Sequence, residues 1–132
     1  MAVADGSSLP IAIDVASASP ADVTLVKSTL DGSFIPDPPE RLIGDKAYDS
    51  DPLAEDLADE GIALVSPNRS SRKVKTQNGR RLRRYKRRWK VERLFAWLQN
   101  YRRILTRHDR NVVNYFGFVQ LGCIRILLRR CL

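Results

Sequence analysis

Between Arg81 and Arg103 the chain carries one carboxylate, Glu92, inside its densest run of arginine and lysine. Carboxylate oxygens suit hard divalent ions such as Mg²⁺ or Mn²⁺, and the surrounding cations suit a phosphate backbone. Together they would serve metal-assisted chemistry on a nucleic acid. The plainer reading is a solvated basic helix on which Arg88 and Glu92, four residues apart, form an ordinary surface pair. Both readings stand on these residues alone.

The element that must position Glu92 is a helix. From Leu82 to Leu105 there is no glycine or proline, and strong helix formers dominate, so one continuous helix is predicted. At about 100° per residue, Val91, Leu94, Leu98, Tyr101 and Leu105 form a core-facing stripe. Tyr85, Arg88, Glu92, Ala96, Gln99 and Arg103 occupy another face, which sets Arg88 beside Glu92 with Tyr85 one turn behind. Trp89, Trp97 and Tyr101 serve equally as core or as platforms for splayed bases.

A second carboxylate stands at the end of a predicted strand. Leu42-Ile43-Gly44 is short and apolar and delivers Asp45 at its carboxyl end, where open α/β sheets gather their ligands. Asp49 and Asp51 precede a predicted helix, Asp51–Glu60, and helix capping accounts for them.

Charge is divided unevenly. Residues 1–65 hold three Lys or Arg against thirteen Asp or Glu, whereas residues 66–132 hold twenty against two. The second half is therefore expected to meet a polyanion, nucleic acid before an anionic membrane surface. Cys123 and Cys131 lack metal-site spacing and His108 is the single histidine, which disfavours a zinc finger or disulfide framework and fits a reducing cytoplasm. The start, MAVADGSSLP, lacks the features of a signal peptide. The length allows one small domain.

In chain order, residues 2–5 and 11–17 read as a hairpin around Asp5-Gly6-Ser7-Ser8, which makes Asp5 a turn residue and Asp14 a strand residue. A helix capped by Ser19 follows Pro20, then a proline-rich loop, 32–40. After the Asp45 strand and its helix, Ile62–Val65 is a buried strand. Residues 66–80 read as a mobile cationic loop that orders on nucleic acid. A turn at 108–111 leads to a last apolar helix, Val112–Leu128, read as a packing helix because Asn114, Gln120 and Arg125 interrupt it. This order is α/β with a parallel crossover near the later strands.

The spacing Tyr85-x2-Arg88-x3-Glu92 resembles the Tyr-x2-Arg-x3-Glu-x6-Lys signature of DDE transposases from bacterial insertion sequences. The flanking residues, RWKVERLFAWLQNYRRI, resemble the family-five group of those elements, and GDKAYDSD resembles the block holding the family's second catalytic Asp. The resemblance implies a ribonuclease-H-like fold lacking its first strand, with C-terminal helices. It covers 1–132 as a partial catalytic domain: an acidic α/β part (1–65), a basic loop (66–80) and helices (81–132). It implies catalysis and metal binding by Asp45 and Glu92, with two Mg²⁺ or Mn²⁺ ions in the complete enzyme. Lys73, Lys75, Arg81, Arg84, Tyr85, Arg88, Arg102 and Arg103 are expected to contact DNA. The signature's final Lys is replaced by Gln99, a departure that Arg102 or Arg103 is placed to offset.

The implied function is metal-dependent cleavage and strand transfer at element ends, on terminal inverted repeats and target DNA, by a homodimer in the bacterial cytoplasm at the nucleoid. The family's first Asp falls on the missing strand, so this stretch alone is expected to be inactive. An upstream-frame partner would supply that strand, and a decayed remnant is the other origin weighed. The reading from a different class is a DNA-binding fragment without chemistry; an RNA binder of ribosomal type ranks third because it has no use for Asp45.

Overall fold

The computed structural model describes residues 1–77 and 79–131, with the side chains of Arg81 and Cys131 outside that description. Strands β1 (Ala2–Ala4) and β2 (Pro10–Ile13) form an antiparallel hairpin. The Asp5 carboxylate accepts from the Ser7 and Leu9 amides at 2.7 and 2.8 Å, so Asp5 is the turn residue expected. Pro10 takes the first position of β2, where a missing N–H costs least. Asp14 follows β2, and its carboxylate accepts from the Val15 amide and the Ser28 hydroxyl.

A 3₁₀ turn, Asp22–Leu25, leads into α1 (Val26–Asp31). Its cap position is Ala21, without a side-chain bond, rather than Ser19. Residues 32–40 form the expected loop, pinned where the Phe34 amide donates to Ile11 O at 2.7 Å. Strand β3 (Arg41–Ile43), helix α2 (Asp51–Asp59) and strand β4 (Ala63–Val65) then form the expected parallel crossover. Leu42 faces Leu64 and Ile43 faces Val65, and the Gly44 amide extends the ladder to Val65 O. Ser50 caps α2, and Gly61 ends its last turn at φ +78°, the left-handed region that glycine enters without strain.

The continuous helix predicted over 82–105 is instead four pieces: α3 (Gly79–Leu82), a 3₁₀ turn (Arg84–Arg87), α4 (Trp89–Gln99) and α5 (Arg102–Leu105). Tyr101 breaks the run with an extended backbone, φ −91° and ψ 113°. Its ring then packs on the core, and the break turns Ile104 inward. Leu105, assigned to the apolar stripe by periodicity, is left 62% exposed. Helix propensity is a weak term that a tertiary contact overrides.

Helix α6 (Val112–Cys131) closes the chain. Its length and composition would suffice to cross a membrane. One face nevertheless buries Val119, Cys123 and Ile126 against Ile13 of the hairpin and Leu94 and Leu98 of α4, which makes it the packing helix expected. Burial pushes the Cys123 thiol up to about 11, so it stays protonated as a core residue. A second core joins Val26 of α1, Leu53 and Leu57 of α2, Leu64 of β4 and Ile62 just before that strand.

Helices α5 and α6 meet at Gly122. A Cβ there would stand 2.8 Å from Ile104 Cδ1 and 3.0 Å from Leu98 Cδ2. We expect Gly122→Val to lower unfolding free energy by about 1–3 kcal/mol through overpacking, measured by urea denaturation with unchanged slope.

Candidate functional site

Asp45 lies just beyond β3 and caps the 3₁₀ turn Lys46–Tyr48, its Oδ1 accepting from the Ala47 amide at 2.7 Å. The side chain is exposed. Gly44 precedes it because nothing larger fits: a Cβ would lie 2.8–3.0 Å from the Tyr48 ring and Cβ. That ring is packed against the second core. Burial, then the nearby charges of Asp22 and Asp45, push the Tyr48 phenol up to about 12. It is neutral at physiological pH.

Glu92 is exposed in the first turn of α4, where the helix dipole favours a negative charge. Arg88 does not reach forward to it. Its Nη1 donates back to the Tyr85 hydroxyl at 2.9 Å, with the guanidinium 5.2 Å from the ring centre. The cause is the 3₁₀ turn, in which residues three apart eclipse one another and Tyr85 comes directly under Arg88. No described residue forms a salt bridge with Glu92. The same turn, which precedes the helix of Glu92, packs beside β3.

Both carboxylates offer hard oxygen donors, which suit Mg²⁺ or Mn²⁺ in kind. Among the described residues, no group of three His, Cys, Asp or Glu side chains converges as a metal cluster. Asp45 and Glu92 are thus at most part of a ligand set.

The loop after β4, expected to order on nucleic acid, is tethered here to the end of β3. Asp49 gathers it: Oδ2 accepts from the Arg69 amide at 2.7 Å, and Oδ1 accepts from Asn68 Nδ2 at 3.2 Å and Arg72 Nη1 at 2.7 Å. Arg72 also bridges to Asp51 and donates to Val74 O. Arg69 donates to the carbonyls of Lys46 and Ala47 at 3.2 and 2.8 Å. Capping therefore does not account for Asp49, because Ser50 holds the cap. Burial pushes the Asp49 carboxyl up, but the Arg69 amide, the Asn68 amide and the Arg72 charge outweigh it and hold the carboxyl below its usual range.

The expected DNA contacts fall into two groups. Lys73 and Lys75 are exposed on the anchored loop, and Arg84, Tyr85 and Arg88 lie on the turn beside β3. Arg102 and Arg103 lie on α5 beyond the break, lining a groove with Tyr101, Phe118 and Arg125. Arg81 lies in α3, but its side chain falls outside the described residues. Of the aromatic candidates, Trp97 and Tyr101 pack on the core; Trp89 is exposed, with Arg93 and Lys90 at 4.3 and 4.9 Å over its ring. His108 is an exposed loop residue. Sequence reasoning missed Arg125, which stacks on Tyr101 across the α5–α6 groove, and the tethering roles of Asn68, Arg69 and Arg72.

The family described as "Transposase DDE domain" matches residues 1–125. The chain belongs to the DDE transposase family. It is 32% identical over 134 residues to a protein named as the transposase for insertion sequence element IS402 of Burkholderia cepacia, covering 94% of this chain and 59% of that protein. It is 39% identical over 92 residues to one named for insertion sequence element IS6501 of Brucella ovis, covering 67% of each. The chain thus spans about three-fifths to two-thirds of the length of these transposases. No solved structure matches it.

Two outcomes follow from this geometry in a DDE transposase. Gly44→Ala should cost about 1–3 kcal/mol, because the Tyr48 ring is held from below; thermal unfolding measures this. The Asp49 carboxyl lies lower folded than unfolded, where it titrates near about 3.9. Its stabilisation is therefore complete above that pH and is lost as pH falls through the folded value. An acid titration of stability should show a steeper loss below pH ~4 in the natural chain than in Asp49→Asn.

Proposed function

We propose that this chain is the C-terminal portion of an insertion-sequence transposase that cleaves DNA at element ends and joins those ends to a target. The observation that carries the reading is the placement of Asp45 at a strand end and Glu92 on a helix beside the cationic turn, in a chain of this family. The fold is read as ribonuclease-H-like without its first strand; the hairpin and the parallel β3–α2–β4 unit support that reading. Asp45 and Glu92 would hold the metal together with a ligand from outside the described residues. Mg²⁺ or Mn²⁺, two ions in the complete enzyme, would stabilise the attacking and leaving oxygens of phosphodiester exchange.

The chain's own residues do the rest. The Ala47 amide holds one Asp45 oxygen and leaves the carboxylate facing solvent. Lys73, Lys75 and Arg84 supply charge to the phosphate backbone, and Tyr85 draws Arg88 away from Glu92, keeping that carboxylate free. Terminal repeats and target DNA are the partners, bound by a homodimer in the bacterial cytoplasm, and an upstream-frame half of the transposase would complete each catalytic domain.

Asp45→Ala and Glu92→Ala should each abolish strand transfer by the complete protein while leaving duplex affinity within about twofold, since neither is a cation. Survival of activity in either variant would remove that residue from catalysis. For the chain itself, fluorescence anisotropy should show duplex affinity falling steeply with salt, and Lys73→Gln should reduce the log–log slope by about one. Flat salt dependence would defeat the nucleic-acid reading.

A further inference from the structure

Thirteen of the fifteen carboxylates lie in the first half of the chain, and one of them, Asp49, has its side chain only 5% exposed while surrounded by donors from residues 68–72. Those partners stand 19 to 23 residues away in sequence. A buried carboxylate with this donor set is a strong tether, because its bonds to charged and backbone donors offset its desolvation. The tether also has a second stage. The amide of Arg69 is held by Asp49, while the guanidinium of Arg69 binds the carbonyls of Lys46 and Ala47. The amide of that same Ala47 holds Asp45.

We propose that Asp49 latches the cationic loop onto the end of β3, and that Arg69 is a positioning residue that transmits this closure to the turn orienting Asp45. The latch uses Arg69 and Arg72 internally and leaves Lys73 and Lys75 as the loop's outward charges. Arg72 acts as a fork between Asp49 and Asp51, a geometry that a lysine cannot reproduce. Closing the loop therefore ties the segment that carries two exposed lysines to the turn that carries the exposed Asp45 carboxylate, a combination suited to a phosphodiester. The role assigned toward DNA rests on the function proposed above; the latch itself does not.

The test uses the full chain and site-resolved trypsin cleavage followed by mass spectrometry, with and without duplex DNA. Cleavage after Lys73 and Lys75 reports opening of the loop, and cleavage after Lys27 reports global unfolding. In Asp49→Asn, initial cleavage at the two loop sites should rise about tenfold with Lys27 unchanged, because proteolysis tracks the local open population. Arg72→Lys should behave similarly. An unchanged rate at the loop sites, or an equal rise at all three, would overturn the latch.

Duplex DNA should slow loop cleavage in both the natural chain and Asp49→Asn. A faster loop in Asp49→Asn without protection by DNA would uphold the latch and defeat the DNA-binding reading of the loop. DNA protection with no effect of Asp49→Asn would do the opposite. For the second stage, Arg69→Ala should speed hydrogen exchange at the Ala47 amide about fivefold, with no such change at the Leu57 amide in α2. Unaltered Ala47 exchange would remove Arg69 as a positioning residue.

Discussion

Burial of Leu94 and Leu98 beneath the hairpin and α6 is the contact on which the rest of the arrangement depends. Both are almost fully enclosed, Leu94 at 0% and Leu98 at 2% exposure. Each contributes about 1.5–3 kcal/mol by leaving water. Lying four apart, they fix the rotation of α4. Glu92, two residues before Leu94, then lies about 160° around the helix from it, in solvent. Lys90 strengthens the same docking by donating to Gly6 O in the hairpin turn.

The second constraint is charge. A region holding twenty cations and two acids cannot neutralise itself by ion pairing, and the structure settles many of the cations over aromatic faces instead. Arg130 lies 4.6 Å over Trp97, Arg107 lies 5.3 Å over Tyr115, and Arg103 lies 5.3 Å over Phe118. Such contacts stabilise exposed cations by about 0.5–1 kcal/mol each without cancelling their charge. The positive field thus survives folding, which suits the nucleic-acid partner proposed for it. The acidic half engages the basic half at one place in particular, where Asp49 and Asp51 receive Arg72.

The two halves of the candidate site are built differently. Asp45 is held by backbone geometry: a strand end, a glycine that admits the Tyr48 ring, and an amide that fixes one oxygen. Glu92 is held only by the docking of its helix. The pairing of Arg88 with Tyr85 matters because an Arg88–Glu92 bridge would have used the carboxylate to which the proposed chemistry assigns a metal.

Local sequence determined the hairpin, the parallel strand–helix–strand unit, the closing helix and the family, since turn residues, short apolar runs and motif spacing all act over a few positions. It also placed Asp45 at a strand end and Glu92 on a helix. Tertiary structure decided what periodicity could not. Packing of the Tyr101 ring broke the long helix and chose Ile104 over Leu105 for the core. The 3₁₀ turn before α4 sent Arg88 to Tyr85 instead of Glu92. Asp49 read as a helix-capping acid because its partners lie about twenty residues downstream, and only the folded chain brings Asn68, Arg69 and Arg72 to it. Propensity and pattern describe neighbours along the chain; a buried carboxylate is defined by neighbours in space.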